Sequence, residues 1–225
     1  MKKLFQTISK KMLILSYINR FYEFSDVHLF YKFLKMKKIL LSFAFVLVNV
    51  FTFAQTKWVV DYMHSSVNFN VKHMGISFVQ GRFDKFDGTV SSKGANLDNA
   101  ELNFSAYPGT INTGVESRDK HLKDADFFDA EKFPVMKFEG AAIRKDEGNN
   151  YILKGKLTIK DVTKEVSIPI TFGGVAKNRQ GQEVLGFQAK FTVNRLDYNI
   201  KYDPTGAGIA KDVEVNLFFE LTKQQ

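Results

Sequence analysis

Hydrophobic and polar residues alternate with a period of two through much of the chain after residue 55. The apolar positions of the clearest runs are Val67, Phe69 and Val71; Tyr151, Leu153, Leu157 and Ile159; Val166, Ile168, Ile170 and Phe172; Phe187, Ala189, Phe191 and Val193; and Val213, Val215, Leu217, Phe219 and Leu221. Successive side chains of a β-strand point to opposite faces, so each run has one apolar and one polar face. Such runs are typical of antiparallel strands with one side in water.

Turn-forming residues separate these runs, for example at residues 146–150, 178–182 and 204–208. A large one-sided sheet either folds over as a sandwich or closes into a barrel. The length of the runs favours an up-and-down barrel, because sandwich strands are usually about 5–6 residues long and closure removes exposed edges. The pattern therefore predicts an all-β fold, an antiparallel barrel of about eight strands.

Residues 115–133 depart from the alternation. Ser117 is a suitable N-cap for a short helix containing Arg118 to Leu122, and Asp124 for a second turn through Phe128. We therefore expect a short helical insertion in the barrel.

The N-terminal part of the chain has a different pattern. Residues 36–54 begin with Met36, Lys37 and Lys38, continue with an uncharged, mostly apolar run, and end with a Thr-Phe-Ala sequence. This is the order of a secretory signal peptide, and the uncharged stretch is shorter than the ~20 residues of a membrane-spanning helix. We expect cleavage after Ala54, no membrane span after cleavage, a mature domain over residues 55–225, and a periplasmic or secreted protein. Residues 1–35 lack this order, and we interpret them as an over-extended N-terminus.

The charge of the chain is concentrated in this N-terminal part. Nine of the 32 basic residues and two of the 24 acidic residues precede residue 55, which leaves 23 basic and 22 acidic residues in the expected mature domain. That domain is nearly neutral and has no basic run with interleaved aromatic residues, so we expect no nucleic-acid partner. The chain has no cysteine, which excludes disulfides and a lipid anchor on cysteine.

The expected mature domain has three histidines, His64, His73 and His121. Their spacing does not match the i, i+4 pair of a zinc-protease helix. Distant histidines can still converge in space, so a metal-dependent or hydrolytic enzyme that uses these three residues on the same barrel is the alternative function. Our first interpretation is that the protein is not an enzyme and has no catalytic residues, no metal and no cofactor.

The strongest chemical signal is the number of phenylalanines at inward positions. A barrel of about eight strands is either filled by its own side chains or holds one ligand, and an apolar space with few charges suits a long apolar chain. Small residues in the strand runs, Gly81, Gly155, Ala106, Ala142 and Ala189, are expected to leave room inside. The candidate lining residues are Val67, Phe69, Val71, Phe83, Phe104, Phe138, Leu157, Ile168, Phe187, Phe191 and Leu217. The alternative is a solid core rich in phenylalanine.

Arg118, Asp119 and His121 form the densest polar cluster of the helical segment. A surface ion pair explains them equally well, but the guanidinium of Arg118 also suits a phosphate or carboxylate head group. We expect all three near one end of the barrel, where they hold the helix across that end or contact the head group of a ligand.

Several motifs occur in a characteristic order. They are Asp61-x-x-His64-Ser65-x-Val67-x-Phe69-x-Val71-x-His73; Val79-x-Gly81-x-Phe83; Phe86-x-Gly88; Arg118-Asp119-x-His121-Leu122; Asp126-Phe127-Phe128; Pro134-x-x-x-Phe138; Gly155-x-Leu157-Thr158-Ile159; and Arg195-x-Asp197-Tyr198. The set resembles the YceI-like family of periplasmic and secreted proteins over residues 56–222. In this family a Phe-Gly pair usually follows the arginine motif, where this chain has Tyr198-Asn199.

The resemblance implies a lipocalin-like antiparallel barrel with an elongated hydrophobic tunnel. Family members bind polyisoprenoids, isoprenoid quinones or long-chain fatty-acid derivatives and often form dimers, and no catalytic activity is established for the family as a class. The expected partners of this chain are therefore a long-chain isoprenoid or acyl lipid and a second copy of the chain.

Overall fold

The computed structural model describes residues 10–17, 20, 35, 55–94, 96–144 and 148–224. The chain divides into two compact units, residues 1–53 and 54–225. In the first unit, residues 10–17 are helical. The signal peptide expected at residues 36–54 lies outside the described residues, which resume at residue 55. No helix in the described part of the chain is long and apolar enough to cross a membrane.

The second unit is built from eleven β-strands. They are β1 (Thr56–Val60), β2 (Ser66–His73), β3 (Ser77–Phe83), β4 (Phe86–Ser92), β5 (Glu101–Ala106), β6 (Ile111–Asn112), β7 (Met136–Arg144), β8 (Asn150–Ile159), β9 (Val162–Lys177), β10 (Glu183–Asn194) and β11 (Ile209–Lys223). An insertion helix (Glu116–Lys123) lies between β6 and β7, and short 3-10 helices cover Pro108–Thr110 and Arg195–Tyr198.

The strands close into an eight-stranded antiparallel barrel, which confirms the predicted fold class. Three barrel strands are interrupted by short loops, so β1 with β2, β3 with β4, and β5 with β6 each make one strand of the barrel. The long strand β11 pairs with β10 along one side and with both β1 and β2 along the other, which closes the sheet. Neighbouring strands follow chain order everywhere except at this closure.

One end of the barrel is filled by its own side chains. The single tryptophan of the chain, Trp58, is 1% exposed, and its Nε1 donates a hydrogen bond of 3.0 Å to the Ser92 hydroxyl. Trp58 shares a core cluster with five fully buried aliphatic residues, namely Val90, Leu97, Leu102, Leu185 and Leu221. On the inner side of this packed end, the Phe104 ring stacks on the Phe219 ring with their centroids 4.7 Å apart.

Glycines on the barrel wall lie beneath phenylalanine rings of neighbouring strands. Gly81 pairs with Phe69 across β2 and β3, and Gly88 pairs with Phe104 across β4 and β5. A Cβ atom at either glycine would overlap the ring that lies over it. From the sequence we expected Gly81 to leave room inside the barrel. The Phe69 ring fills that space instead.

The insertion helix begins two residues earlier than the capping argument predicted. Its N-cap is Val115, which offers no side-chain hydrogen bond, and Ser117 lies inside the first turn, so the prediction of a Ser117 cap is wrong. The helix is instead attached through Asp119, whose Oδ1 accepts hydrogen bonds from the Thr113 backbone amide (2.8 Å) and hydroxyl (2.5 Å). Asp124 is the C-cap, and its backbone amide donates to the His121 carbonyl.

Candidate ligand-binding cavity

A cavity of about 640 Å³ occupies the barrel between the packed end and the insertion helix. All eleven apolar residues predicted from alternation line it: Val67, Phe69, Val71, Phe83, Phe104, Phe138, Leu157, Ile168, Phe187, Phe191 and Leu217. The barrel is therefore hollow over this part of its length, and the solid core that we kept as an alternative is confined to the packed end. Whether these residues bind a ligand stays a prediction.

The insertion helix contributes polar side chains to the cavity wall. Arg118 and His121 line the cavity, whereas Asp119 does not. Arg118 donates from Nε to the Thr113 hydroxyl (2.7 Å) and from Nη2 to the Thr113 carbonyl (3.0 Å). Arg118 and Asp119 thus hold the helix to the loop before it, and contact of Arg118 with a head group stays a prediction.

His121 belongs to an aromatic cluster at the same end. Its ring meets Phe127 and Tyr202 edge-on, each with centroids 5.0 Å apart, while Phe127 and Tyr202 stack at 4.8 Å. Its Nε2 lies 3.2 Å from the Asp126 carboxylate. Tyr202 is exposed as well as lining the cavity, and so is Ser117, so the cavity reaches the surface beside the insertion helix.

Arg195 lines the cavity and is only 4% exposed. All five of its guanidinium N–H groups donate to backbone carbonyls, those of Ile200, Tyr202, Asp203, Ile209 and Ala210. Burial lowers the pKa of this guanidinium, but an arginine stays charged at any physiological pH. The side chain therefore fixes the loop between β10 and β11 and brings a positive charge to the cavity wall.

The same loop is held by the Asp203 carboxylate. It accepts hydrogen bonds from the backbone amides of Gly208 and Ile209, both at 2.8 Å, and from the Thr205 hydroxyl at 2.7 Å. These bonds, that of Ile209 above all, lower the pKa of Asp203 to about 2. Asn199 begins the loop with φ of 59°, a left-handed conformation that asparagine tolerates almost as glycine does. The Tyr198-Asn199 departure from the family pattern therefore preserves the turn.

The three histidines do not converge into one metal-binding group among the described residues. His64 lies with Asp61 and Glu220, with ligand atoms within 4.8 Å of one another, and neither His73 nor His121 joins such a group. The His64 Nδ1 and an Asp61 oxygen are 2.8 Å apart, which raises the pKa of His64 and lowers that of Asp61. This pair orders the loop between β1 and β2, whereas His73 and His121 line the cavity.

Sequence reasoning missed the cavity residues that lie in loops. Phe127, Phe128, Tyr202 and Ile200 line the cavity, but loops carry no periodic signal. Arg195 stood in the motif that carried the family resemblance, yet a charged residue was not considered for an apolar wall. Val79, Val213 and Val215 also line the cavity, and the alternation that predicted the other lining residues could have identified them.

A closed eight-stranded barrel with one packed end and one open apolar cavity defines a lipocalin-like class of protein. The profile of the YceI-like domain matches residues 58–221, so the chain belongs to the YceI-like family. A UPF0312 protein of Staphylococcus aureus is 34% identical over 172 residues, which covers 74% of this chain and 98% of the relative. A UPF0312 protein of Pectobacterium atrosepticum is 32% identical over 172 residues, which covers 76% of this chain and 88% of the relative.

Solved structures share the fold. The Campylobacter jejuni YceI protein superposes with a TM-score of 0.62 at 28% identity, covering 68% of this chain and 90% of that one. Burkholderia cenocepacia BcnA gives 0.63 at 24% identity, over 72% and 98% of the two chains. A Saccharophagus degradans domain described as polyisoprenoid-binding gives 0.60 at 14% identity, over 74% and 98%. The last two likenesses show the fold alone.

Proposed function

We propose that this protein binds and carries a long apolar lipid, a polyisoprenoid, an isoprenoid quinone or a fatty-acid derivative, in the periplasm or outside the cell. The observation that carries the proposal is the apolar cavity of about 640 Å³ inside a closed barrel. Burial of an alkyl or prenyl chain there would contribute about 25 cal/mol per Å² of apolar area removed from water. The polyisoprenoid binding described for the S. degradans domain is extended to this chain only as part of the proposal.

The arrangement of polar groups supports a ligand with one polar end. Phenylalanine, leucine, isoleucine and valine form the inner wall, and Arg118, His121 and Tyr202 lie where the cavity reaches the surface. The chain of the lipid would lie against the Phe104 and Phe219 rings, with its head group beside the insertion helix. The cationic Arg118 and Arg195 favour a head group that is anionic or rich in carbonyl oxygens.

The first experiment is native mass spectrometry of the protein purified from its own host, followed by organic extraction and lipid identification. A stoichiometric long-chain isoprenoid or acyl species would support the proposal and identify its ligand class. A ligand-free mass that does not change after incubation with quinones and fatty amides would contradict it. The same spectra report homodimer formation, which stays a prediction, and show whether the mature chain begins at Gln55.

Phe191→Glu should abolish lipid retention, because Phe191 lines the cavity and a carboxylate there would be buried without a partner in an apolar wall. The measurement is lipid content per folded protein by extraction and mass spectrometry, with circular dichroism to establish folding. Phe218→Glu is the matched control. Phe218 lies on β11 between two lining residues, points away from the cavity and is 50% exposed. A folded Phe191→Glu variant with normal retention would remove this residue from the binding site.

A further inference from the structure

Three large apolar side chains are exposed on one hairpin, which we call the β2–β3 tip (Met74, Ile76 and Phe78). Ile76 is 85% exposed, Met74 61% and Phe78 55%. Isolated exposed hydrophobic residues are ordinary, but a contiguous group marks an interaction surface. Three such side chains within five consecutive positions of one hairpin therefore need an explanation that the barrel core does not provide.

Formation of the turn does not account for these residues. The Ile76 amide donates to the His73 carbonyl at 3.1 Å, and both Met74 and Gly75 have positive φ, 50° and 75°. Tight hairpin turns of this kind favour asparagine or aspartate before glycine, because those residues tolerate the left-handed region. Methionine at this position costs backbone strain and also exposes an apolar side chain, so its presence indicates a function of the exposed side chain.

The β2–β3 tip is continuous with the open end of the cavity. His73, the last residue of β2, and Val79, just after the tip, both line the cavity. The Met74 amide donates to the Gly208 carbonyl at 2.8 Å, which joins the tip to the loop that carries Tyr202. Lys72 is opposite Phe78 in the strand register, is exposed, and also borders the cavity. The β2–β3 tip, Lys72 and the opening of the cavity thus lie together at one end of the barrel.

We infer that the β2–β3 tip inserts into the surface of a lipid bilayer and places the cavity opening against the membrane from which a lipid is taken. Large apolar side chains with a lysine beside them are suited to the boundary between head groups and acyl chains. A second copy of the chain fits less well, because a stable protein interface needs about 20–30 residues a side and the tip offers three large side chains. The inference rests on the proposed lipid binding, since it explains how that cavity is loaded.

Fluorescence of an Ile76→Trp variant tests insertion directly. The native tryptophan, Trp58, is buried at the packed end, so its emission should not respond to vesicles. On addition of phosphatidylethanolamine–phosphatidylglycerol vesicles, Ile76→Trp should shift to shorter wavelength and be quenched by brominated lipids. Phe218→Trp, placed on the outer wall at a similar exposure to Phe78, is the matched control and should do neither. An Ile76→Trp emission that is unchanged by vesicles would overturn the inference.

Sedimentation with the same vesicles measures the contribution of the tip. Ile76→Ser and Phe78→Ser should each lower vesicle partitioning by roughly tenfold, because burial of one large apolar side chain is worth at least about a factor of ten. Phe218→Ser should partition like the unmodified protein. Equal partitioning of all four proteins would overturn the inference. A second outcome would also overturn it: without vesicles, the Ile76→Trp emission shifts as protein concentration rises and the measured mass doubles. The tip would then contact a second copy of the chain rather than a membrane.

Lipid content separates this inference from the proposed function. Retention of a lipid supplied in detergent does not involve the tip, so Ile76→Ser should retain it at the level of the unmodified protein while losing vesicle partitioning. That combination supports both proposals. If the unmodified protein partitions onto vesicles through the tip but retains no lipid in any form, the proposed function fails and membrane contact stands. If Ile76→Ser loses lipid retained from detergent, the tip acts inside the cavity and the inference is overturned.

Discussion

Five backbone carbonyls surround the guanidinium of Arg195, three in the loop between β10 and β11 and two at the start of β11. The fixed, planar arrangement of five donors suits this role, because each N–H has its own direction and its own acceptor. Arg195 therefore acts as a positioning residue for Tyr202 and Ile209, both of which line the cavity.

Arg195→Lys should destabilise the protein by roughly 2–6 kcal/mol, because an ammonium group offers three donors and two carbonyls would lose theirs, each at about 1–3 kcal/mol. Urea unfolding followed by circular dichroism measures the change. Arg179→Lys, at an exposed turn position, is the matched control and should stay within about 0.5 kcal/mol of the unmodified protein. Equal stability of the two variants would show that the loop does not depend on the guanidinium.

The lowered pKa of Asp203 predicts that the loop between β10 and β11 loses stability in acid. Its pKa is about 2 in the folded protein, below its ordinary value of 3.8, so its ionised form contributes stability that is complete above about pH 4 and lost as the pH falls towards 2. Asp203→Asn should therefore unfold at lower urea concentration at pH 7, and the difference from the unmodified protein should narrow between pH 4 and 2. A difference that is constant over this range would contradict the assigned role of the carboxylate.

At the scale of the strands, glycines and phenylalanines on adjacent strands determine how much of the barrel interior is free. At Gly88 the three atoms nearest to an added Cβ would all belong to the Phe104 side chain. At Gly155 it would meet the Glu139 carbonyl oxygen and lie 2.6 Å from the Gly140 Cα, both of them backbone atoms of the facing strand. A ring can rotate away from such a contact, whereas two paired strands cannot separate without losing hydrogen bonds.

Gly88→Ala and Gly155→Ala should therefore change different properties, lipid capacity in the first variant and stability in the second. Gly88→Ala should lower lipid capacity at a modest cost in stability, because the displaced Phe104 ring moves into the cavity. Gly155→Ala should destabilise the barrel by roughly 1–3 kcal/mol, the usual cost of overpacking. Thermal unfolding and lipid retention, measured on both variants, distinguish the two effects. The reverse ranking in stability would show that the strands, rather than the ring, yield at these positions.

The strand elements were largely predictable from the sequence, and the ends of the barrel were not. Period-two alternation identifies the inward residues of β2, β8, β10 and β11 because one face of each strand is apolar and the other is wet. The positions of Phe127 and Tyr202 depend on loops held by distant hydrogen bonds, such as those from Lys160 to the Phe127 and Asn199 carbonyls. A contact between residues far apart in sequence leaves no local pattern to read.

At the scale of the whole molecule, the barrel has a packed end and a hollow end. A ligand that binds only the folded protein stabilises it by an amount that grows with its concentration. The packed end contains Trp58, which does not line the cavity, so the two ends can be followed by separate signals.

Removal of the lipid that we propose for the cavity should lower the unfolding temperature without changing the Trp58 emission maximum, since the lipid would leave the hollow end and the packed end would be unaffected. Addition of an isoprenoid quinone to the delipidated protein should restore the unfolding temperature. Differential scanning calorimetry and intrinsic fluorescence measure the two quantities. A shift of Trp58 emission on delipidation at constant temperature would show that the packed end responds to the ligand.

The closure of the sheet along β11 has a consequence for the order of events during folding. Every other pairing joins two of the eight barrel strands that are consecutive in the chain, whereas β1 and β2 must find β11, and such distant pairings form slowly. Val67 and Phe69 on one side of this closure, and Val215 and Leu217 on the other, line the cavity. The cavity therefore does not exist until β11 has been synthesised, and a lipid lying across the closure would slow its reopening.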